Sequence, residues 1–376
     1  MIYLDNAATT GKKPKSVIKA VENALINLNA NPGRSGHSAS EKASIAVYTA
    51  REKIAEFFGA DGAEQVIFTQ NCTHSLNCVI KGNLKADDHV IISDFEHNAV
   101  MRPIHKIGVN YSMATVSLYD DNLTVKNFEN LIKPNTKMII SSGASNVLGK
   151  VVPIAKIGEL CKKHNIKFCV DAAQIAGVLP INMQEMNIDF LCIAAHKGLY
   201  APMGLGILIC RKEIENTLIE GGTGTDSISF KQPDGFPERL ESGTINVPAI
   251  CGVSAGLDFI KQKTLRAVYV HEMHLTQKIY SYFMNDDNFK VYVPNIQNYN
   301  YVPVLSFNFK NKKSDEIADF LNKNGICVRA GLHCATTAHK KVGTVGSGTA
   351  RISCGIFNTE YEINRLLLVL NTLKKL

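Results

Sequence analysis

Five side chains able to carry chemistry follow the ends of apolar runs. Lys197 comes after Phe190–Ala195, beside His196, on a turn rich in Gly and Pro. Burying an unpaired ammonium is costly. Two readings of Lys197 are open: an amine reaching solvent along its apolar stem, or one whose pKa burial lowers until it can form a Schiff base with a carbonyl. Asp171 ends another apolar run, Phe168-Cys-Val-Asp171. A strand-end Lys with a strand-end Asp suits pyridoxal phosphate, the Lys holding the aldehyde and the Asp pairing with the protonated pyridine nitrogen. Thr73 lies where the strand-like run Gln65–Thr69 gives way to a helix, and hydroxyls with free N–H groups there make an anion site or simply cap the helix. His97, after His89–Ser93, reads as a capping histidine or as an aromatic lid and proton shuttle. Asn146 follows Lys137–Ser141.

These residues need an element order that brings strand ends together. From Gln65 to Cys210 apolar runs alternate with helical stretches, the pattern of an open, mostly parallel sheet, whose ligands bind past the carboxyl ends of its strands. Helices are expected from about Ala43 to Phe58, with Gly59 as the stop, and from Ile154 to Lys163. Gly206–Cys210 should carry the chain away from Lys197. A long helical region should run from Pro248 to about Phe283, and His271-Glu-Met-His274 within it lacks zinc-motif spacing and reads as an exposed face. No metal site is expected. Val302–Phe309 should be an alternating strand, Asp315–Asn322 a helix, Ile326–Arg329 and Arg351–Asn358 strands, and Tyr361–Leu376 a closing helix. The expected division is a large domain over 15–261 and a smaller α/β domain from 1–14 and 262–376. The loop Asn31–Ser40 places Arg34 and His37 among glycines, where they reach a ligand or serve a plain surface turn.

Composition narrows the partners. The net charge of +7 is spread through 376 residues without a basic block, which speaks against nucleic acid. No apolar run is long enough to span a membrane, and residues 1–5 lack signal-peptide character. Ten scattered cysteines without a Cys-x-x-Cys pair suit reduced thiols in a cytoplasm.

Taken together, Asp171-Ala-Ala-Gln174, Ala195-His-Lys197, Glu96-His97, Ser145–Gly149 and Arg329-Ala-Gly-Leu-His-Cys334 resemble the class V aminotransferase-fold, pyridoxal-phosphate-dependent cysteine desulfurases, in their SUF-type and selenocysteine-lyase-like branch. The likeness runs from Tyr3–Ala8 to Phe357–Thr359. It implies the fold type I of pyridoxal-phosphate-dependent transferases, a large domain with a mostly parallel sheet plus a smaller C-terminal α/β domain. It implies that Lys197 holds pyridoxal 5'-phosphate and acts as the base, His97 stacks on its ring, Asp171 meets the pyridine nitrogen and Gln174 the phenolic oxygen. Cys72, Thr73 and His196 would lie at the phosphate. Thr244 of the partner subunit would join them in a homodimer. Asn146 and Arg351, with Arg329 nearby, would grip the substrate carboxylate. Cys334 would take sulfur from L-cysteine as a persulfide, with a sulfur-acceptor protein as a further partner. Cleavage of selenocysteine or another C–S compound is the alternative. Departures from the family pattern are Ala194 and Cys72, where hydroxyls are usual, and Ala335-Thr-Thr337 after Cys334.

Overall fold

The computed structural model describes residues 1–296, 300–310 and 312–373. A seven-stranded sheet runs in the spatial order Val66–Thr69, Gly206–Cys210, Phe190–Ala194, Lys167–Asp171, Thr136–Ser142, His89–Ser93 and Asn110–Ala114. Only Gly206–Cys210 runs against the others. Alternate residues of the inner strands feed two separate cores. Ile91, Ile139, Phe168, Val170, Leu191 and Ile193 join one, while Val90, Ile92, Met138, Ile140, Cys169 and Cys192 join the other. Covered on both faces, these strands are apolar throughout rather than alternating.

A four-stranded antiparallel sheet, ordered Arg329–Gly331, Thr349–Ser353, Val304–Phe309 and Phe289–Val291, stands beside it. The opening strand Ile2–Tyr3 pairs in parallel with Ile326–Cys327, and Asp5 bridges to Ser353. Residues 5–13 then pass beneath the turn that carries Lys197.

Several expectations are corrected. The helix expected from Ala43 begins at Ser38, capped by His37, and ends as expected at Gly59 in the left-handed region. The long helical region is two helices, Val247–Lys263 and Leu265–Met284, broken at Thr264, whose φ is +68°. His274 is exposed, yet Glu272 and Met273 are buried, so that stretch is no exposed face. Val304–Phe309 is buried along its whole length because helices and sheet sandwich it, and does not alternate. Ile326–Arg329 divides between two sheets, and the strand expected to reach Asn358 stops at Ser353. The closing helix spans Glu360–Leu373, and the last three expected positions lie outside the described residues.

Candidate active site

One cavity of about 230 Å³ is lined by Cys72, Thr73, His97, Asn146, Asp171, Gln174, His196, Lys197, Arg329, Cys334 and Arg351. The sequence scattered these over 280 positions, and the strand ends gather them. Of the expected site residues only Thr244 lies elsewhere, exposed on a surface loop. Arg34 also stays away: it donates to Gly222 O and Gly243 O at 2.7 and 2.9 Å, and His37 caps a helix.

At one end of the cavity the helix Cys72–Asn83 begins. Asn71 caps it by accepting from His74 N at 3.0 Å, while Cys72 and Thr73 present the first turn to the cavity. Unpaired N–H groups and the helix dipole suit an anion there. At the sheet's carboxyl edge Asp171 is buried. Its Oδ1 accepts from Ala173 N at 2.9 Å and from Cys72 Sγ at 3.6 Å, leaving Oδ2 for a donor on a ligand. The sulfhydryl at 72 thus serves the carboxylate, and burial pushes its pKa far up.

The turn bearing Lys197 is fastened from beneath. His196 O accepts from Thr9 Oγ1 at 3.3 Å, Thr10 N at 3.3 Å, Thr10 Oγ1 at 3.1 Å and Lys13 Nζ at 2.8 Å. On its other side Gly198 lies against Ala176 O, 2.3 Å from where a Cβ would sit, so only glycine fits. Lys197 has its pKa lowered, chiefly by burial, with the Asp171 charge opposing. A larger neutral fraction makes the amine a nucleophile and a base. Burial likewise holds His196 down at about 4 and His97 below its ordinary value. His97 Nδ1 accepts from Ala99 N at 3.0 Å, which assigns the remaining proton to Nε2.

Facing these groups, Arg351 is 1% exposed. Its Nη1 donates to Asn146 O at 2.9 Å and its Nη2 to Asp5 Oδ1 at 2.8 Å, while Nε has no protein partner. Asp5 and Lys13 are site residues that the sequence did not disclose, because nothing local marks an acid or lysine in an extended segment as belonging here.

Cys334 is exposed and lies on a loop held open by force of contacts. His333 and Cys334 have φ of +49° and +58°. Left-handed backbone costs non-glycine residues about 1–2 kcal/mol each, so the surroundings must hold it. Asn98 N donates to Cys334 O at 2.8 Å and Asn146 Nδ2 to His333 O at 2.7 Å. Arg329 Nη2 stands 3.9 Å from Cys334 Sγ. His333 beside it is buried, and burial drives its pKa to about 2, leaving it neutral.

With the three histidines neutral and Arg351 paired with Asp5, Lys197 and Arg329 stand against Asp171, an excess of positive charge suited to an anionic ligand. A lysine amine for an aldehyde, an acid at the sheet edge, a helix start for a phosphate and two guanidinia for a carboxylate fit an amino acid bound with pyridoxal phosphate.

The chain matches the profile of the aminotransferase class-V family over residues 2–366, and it belongs to that family. A probable cysteine desulfurase of Borreliella burgdorferi is 32% identical across 100% of this chain and 92% of its own length. A cysteine desulfurase of Haloferax volcanii is 28% identical across 100% of this chain and 90% of that protein. Among solved structures, the apo cysteine desulfurase of Thermococcus onnurineus superposes with a TM-score of 0.90 at 30% identity, covering 100% of this chain and 95% of that one. The Escherichia coli cysteine desulfurase CsdA, in an S-sulfonic acid form, gives 0.85 at 26% identity, covering 99% and 94%.

Proposed function

We propose that this protein is a pyridoxal 5'-phosphate-dependent cysteine desulfurase that converts L-cysteine to L-alanine and retains the sulfur on Cys334 as a persulfide. The observation that carries this reading is the meeting of Lys197, Asp171 and Cys334 around one cavity. Pyridoxal phosphate supplies an electron sink that loosens the bonds at the substrate α-carbon. Lys197 holds the cofactor and, once freed, removes the α-proton. With the cofactor bound, Asp171 Oδ2 would hold the pyridine nitrogen, Gln174 the phenolic oxygen and His97 the face of the ring. Cys72, Thr73 and His196 lie at the phosphate. Arg351 Nε, with Asn146 and Arg329, binds the substrate carboxylate. The Cys334 thiolate attacks the substrate sulfur, forming the S–S bond as the C–S bond breaks toward carbon.

The domain reading is that 15–261 binds the cofactor and that 1–14 with 262–376 carries Arg351 and Cys334. A homodimer is the working assembly, with Thr244 of the partner subunit completing the phosphate site. Thr244 lies outside its own chain's cavity and is exposed. An acceptor protein collects the sulfur. Placement in the cytoplasm is supported by ten free thiols, and among the described residues no helix is long and apolar enough to cross a membrane.

The test is incubation of purified wild type and Cys334→Ser with L-cysteine, reading alanine, sulfide and persulfide by peptide mass spectrometry. Wild type should carry the extra sulfur on the Cys334 peptide and not on those of Cys327 or Cys354. The Ser variant should keep its cofactor absorbance and form no persulfide. Full turnover by Cys334→Ser would remove Cys334 from its role, and turnover spared only for selenocysteine would turn the reading to a selenocysteine lyase.

A further inference from the structure

Behind the Cys334 loop, two buried histidines each leave one ring nitrogen without a partner. His333 is 3% exposed and His339 0%, and their ring centroids stand 5.6 Å apart with planes tilted by 32°. His333 Nε2 lies 3.1 Å from Thr349 O, an oxygen that can only accept, so that nitrogen carries the ring proton. The ring is neutral, and His333 Nδ1 is therefore a bare lone pair, buried with no donor. His339 Nδ1 is 2.7 Å from Thr344 Oγ1, while His339 Nε2 has no partner. If the Thr344 hydroxyl donates, His339 Nε2 carries a proton that needs an acceptor. The two deficits are complementary, and unpaired buried polar atoms are too costly to stand side by side unrelieved.

We propose that His339 is a positioning residue for Cys334: its Nε2–H is joined to His333 Nδ1 through one buried water, in a chain running from Thr344 through both rings to Thr349. The chain fixes the tautomer and orientation of His333 and so holds the left-handed turn at His333 and Cys334. His339 touches neither substrate nor cofactor. It stands within the helix Thr336–Val342, whose Thr337 Oγ1 donates to Glu96 O at 3.3 Å. The turn it braces is also held by Asn98 N on Cys334 O and Asn146 Nδ2 on His333 O. That this serves sulfur acceptance rests on the desulfurase reading. The hydrogen-bond chain itself does not.

Neutron diffraction from deuterated wild-type crystals reads the ring protons directly. Deuterons are expected on Nε2 of both His333 and His339, with none on His333 Nδ1; a deuteron on His333 Nδ1 or His339 Nδ1 overturns the proposal. In solution, His339→Leu removes the donor and keeps the bulk. Amide hydrogen exchange should quicken at least tenfold in peptides covering 332–336, with protection over 136–142 unchanged. The kcat for L-cysteine should fall at least tenfold with KM and cofactor absorbance retained, and His339→Gln, which restores a donor, should recover part of both. A folded Leu variant with unchanged exchange and unchanged kcat overturns it. If the deuterons and exchange behave as expected while wild type itself makes no alanine, the chain stands and the desulfurase reading falls.

Discussion

Asp5 Oδ1 lies 2.8 Å from Arg351 Nη2, an ion pair closed across 346 positions of chain. The acid neutralises a guanidinium that would otherwise be buried uncompensated, and it occupies one edge so that Nε remains for a ligand. Asp5→Asn should destabilise the protein by about 3 kcal/mol, the lower end for breaking a buried pair because Asp5 is 20% exposed. Urea denaturation measures it, and a loss near zero would class the pair with exposed ones. Arg351→Lys should retain cofactor absorbance while kcat/KM for L-cysteine falls at least about tenfold, since an ammonium cannot reproduce a fork. Unchanged kinetics would move the carboxylate site to Arg329.

Lys13 is the charged member of the four donors on His196 O and makes no ion pair among the described residues. Burial lowers its pKa to about 8, so it remains mostly protonated at neutral pH. Hydrogen bonds from charged groups are worth about 1.5–3 kcal/mol. Lys13→Met should therefore loosen the Lys197 turn and weaken cofactor binding about tenfold or more, read by fluorescence titration of the apoprotein with pyridoxal phosphate. Affinity within about twofold of wild type would mean that the threonine donors suffice.

Gly198→Ala would push a methyl against Ala176 O, where 2.3 Å is available. The neighbour is backbone and cannot swing aside, so the Lys197 turn must shift. Overpacking of this kind costs about 1–3 kcal/mol, and the visible band of the bound cofactor should move or fade. A variant with wild-type spectrum and melting temperature would contradict the close approach.

Glu272 and Glu96 are buried carboxyls whose pKa burial pushes up from 4.5 to about 8. The native state then binds protons that the unfolded chain has released. Stability is full below pH 4.5 and declines as pH rises toward 8, by up to about 1.4 kcal/mol per unit for each group. Glu272→Gln should flatten that decline by about half, with Glu96 supplying the remainder. Denaturation midpoints between pH 5 and 8 decide, and an undiminished slope would show that Glu272 is not the source.

Thr73, His97, Asn146, Asp171 and Lys197 were legible because a parallel sheet fixes where its ligands must lie, and each stands just past an apolar run. Asp5, Lys13 and His339 were not, since their partners arrive from distant chain and leave no periodic trace. The break at Thr264 has neither Gly nor Pro to announce it. Gly206–Cys210 is apolar in either direction, so its antiparallel sense could not be read from composition. Glu272 looked like an exposed polar residue until its helix was seen wedged beneath residues 354–356.

The pairing of Ile2–Tyr3 with Ile326–Cys327 also sets an order of events during synthesis. The segment carrying Asp5, Thr10 and Lys13 leaves the ribosome before the rest of the pocket, and Arg351 and the strand it pairs beside come more than 300 residues later. At about 5–20 residues per second that gap lasts roughly 15–70 seconds. The seven-stranded sheet, complete at Cys210, can form meanwhile, while the opening segment waits without its strand partner. Nascent chains therefore expose an unfinished pocket, with Lys197 in place before either Arg351 or Cys334 exists, and the thiol emerges only when the sheet that must hold its substrate is already built.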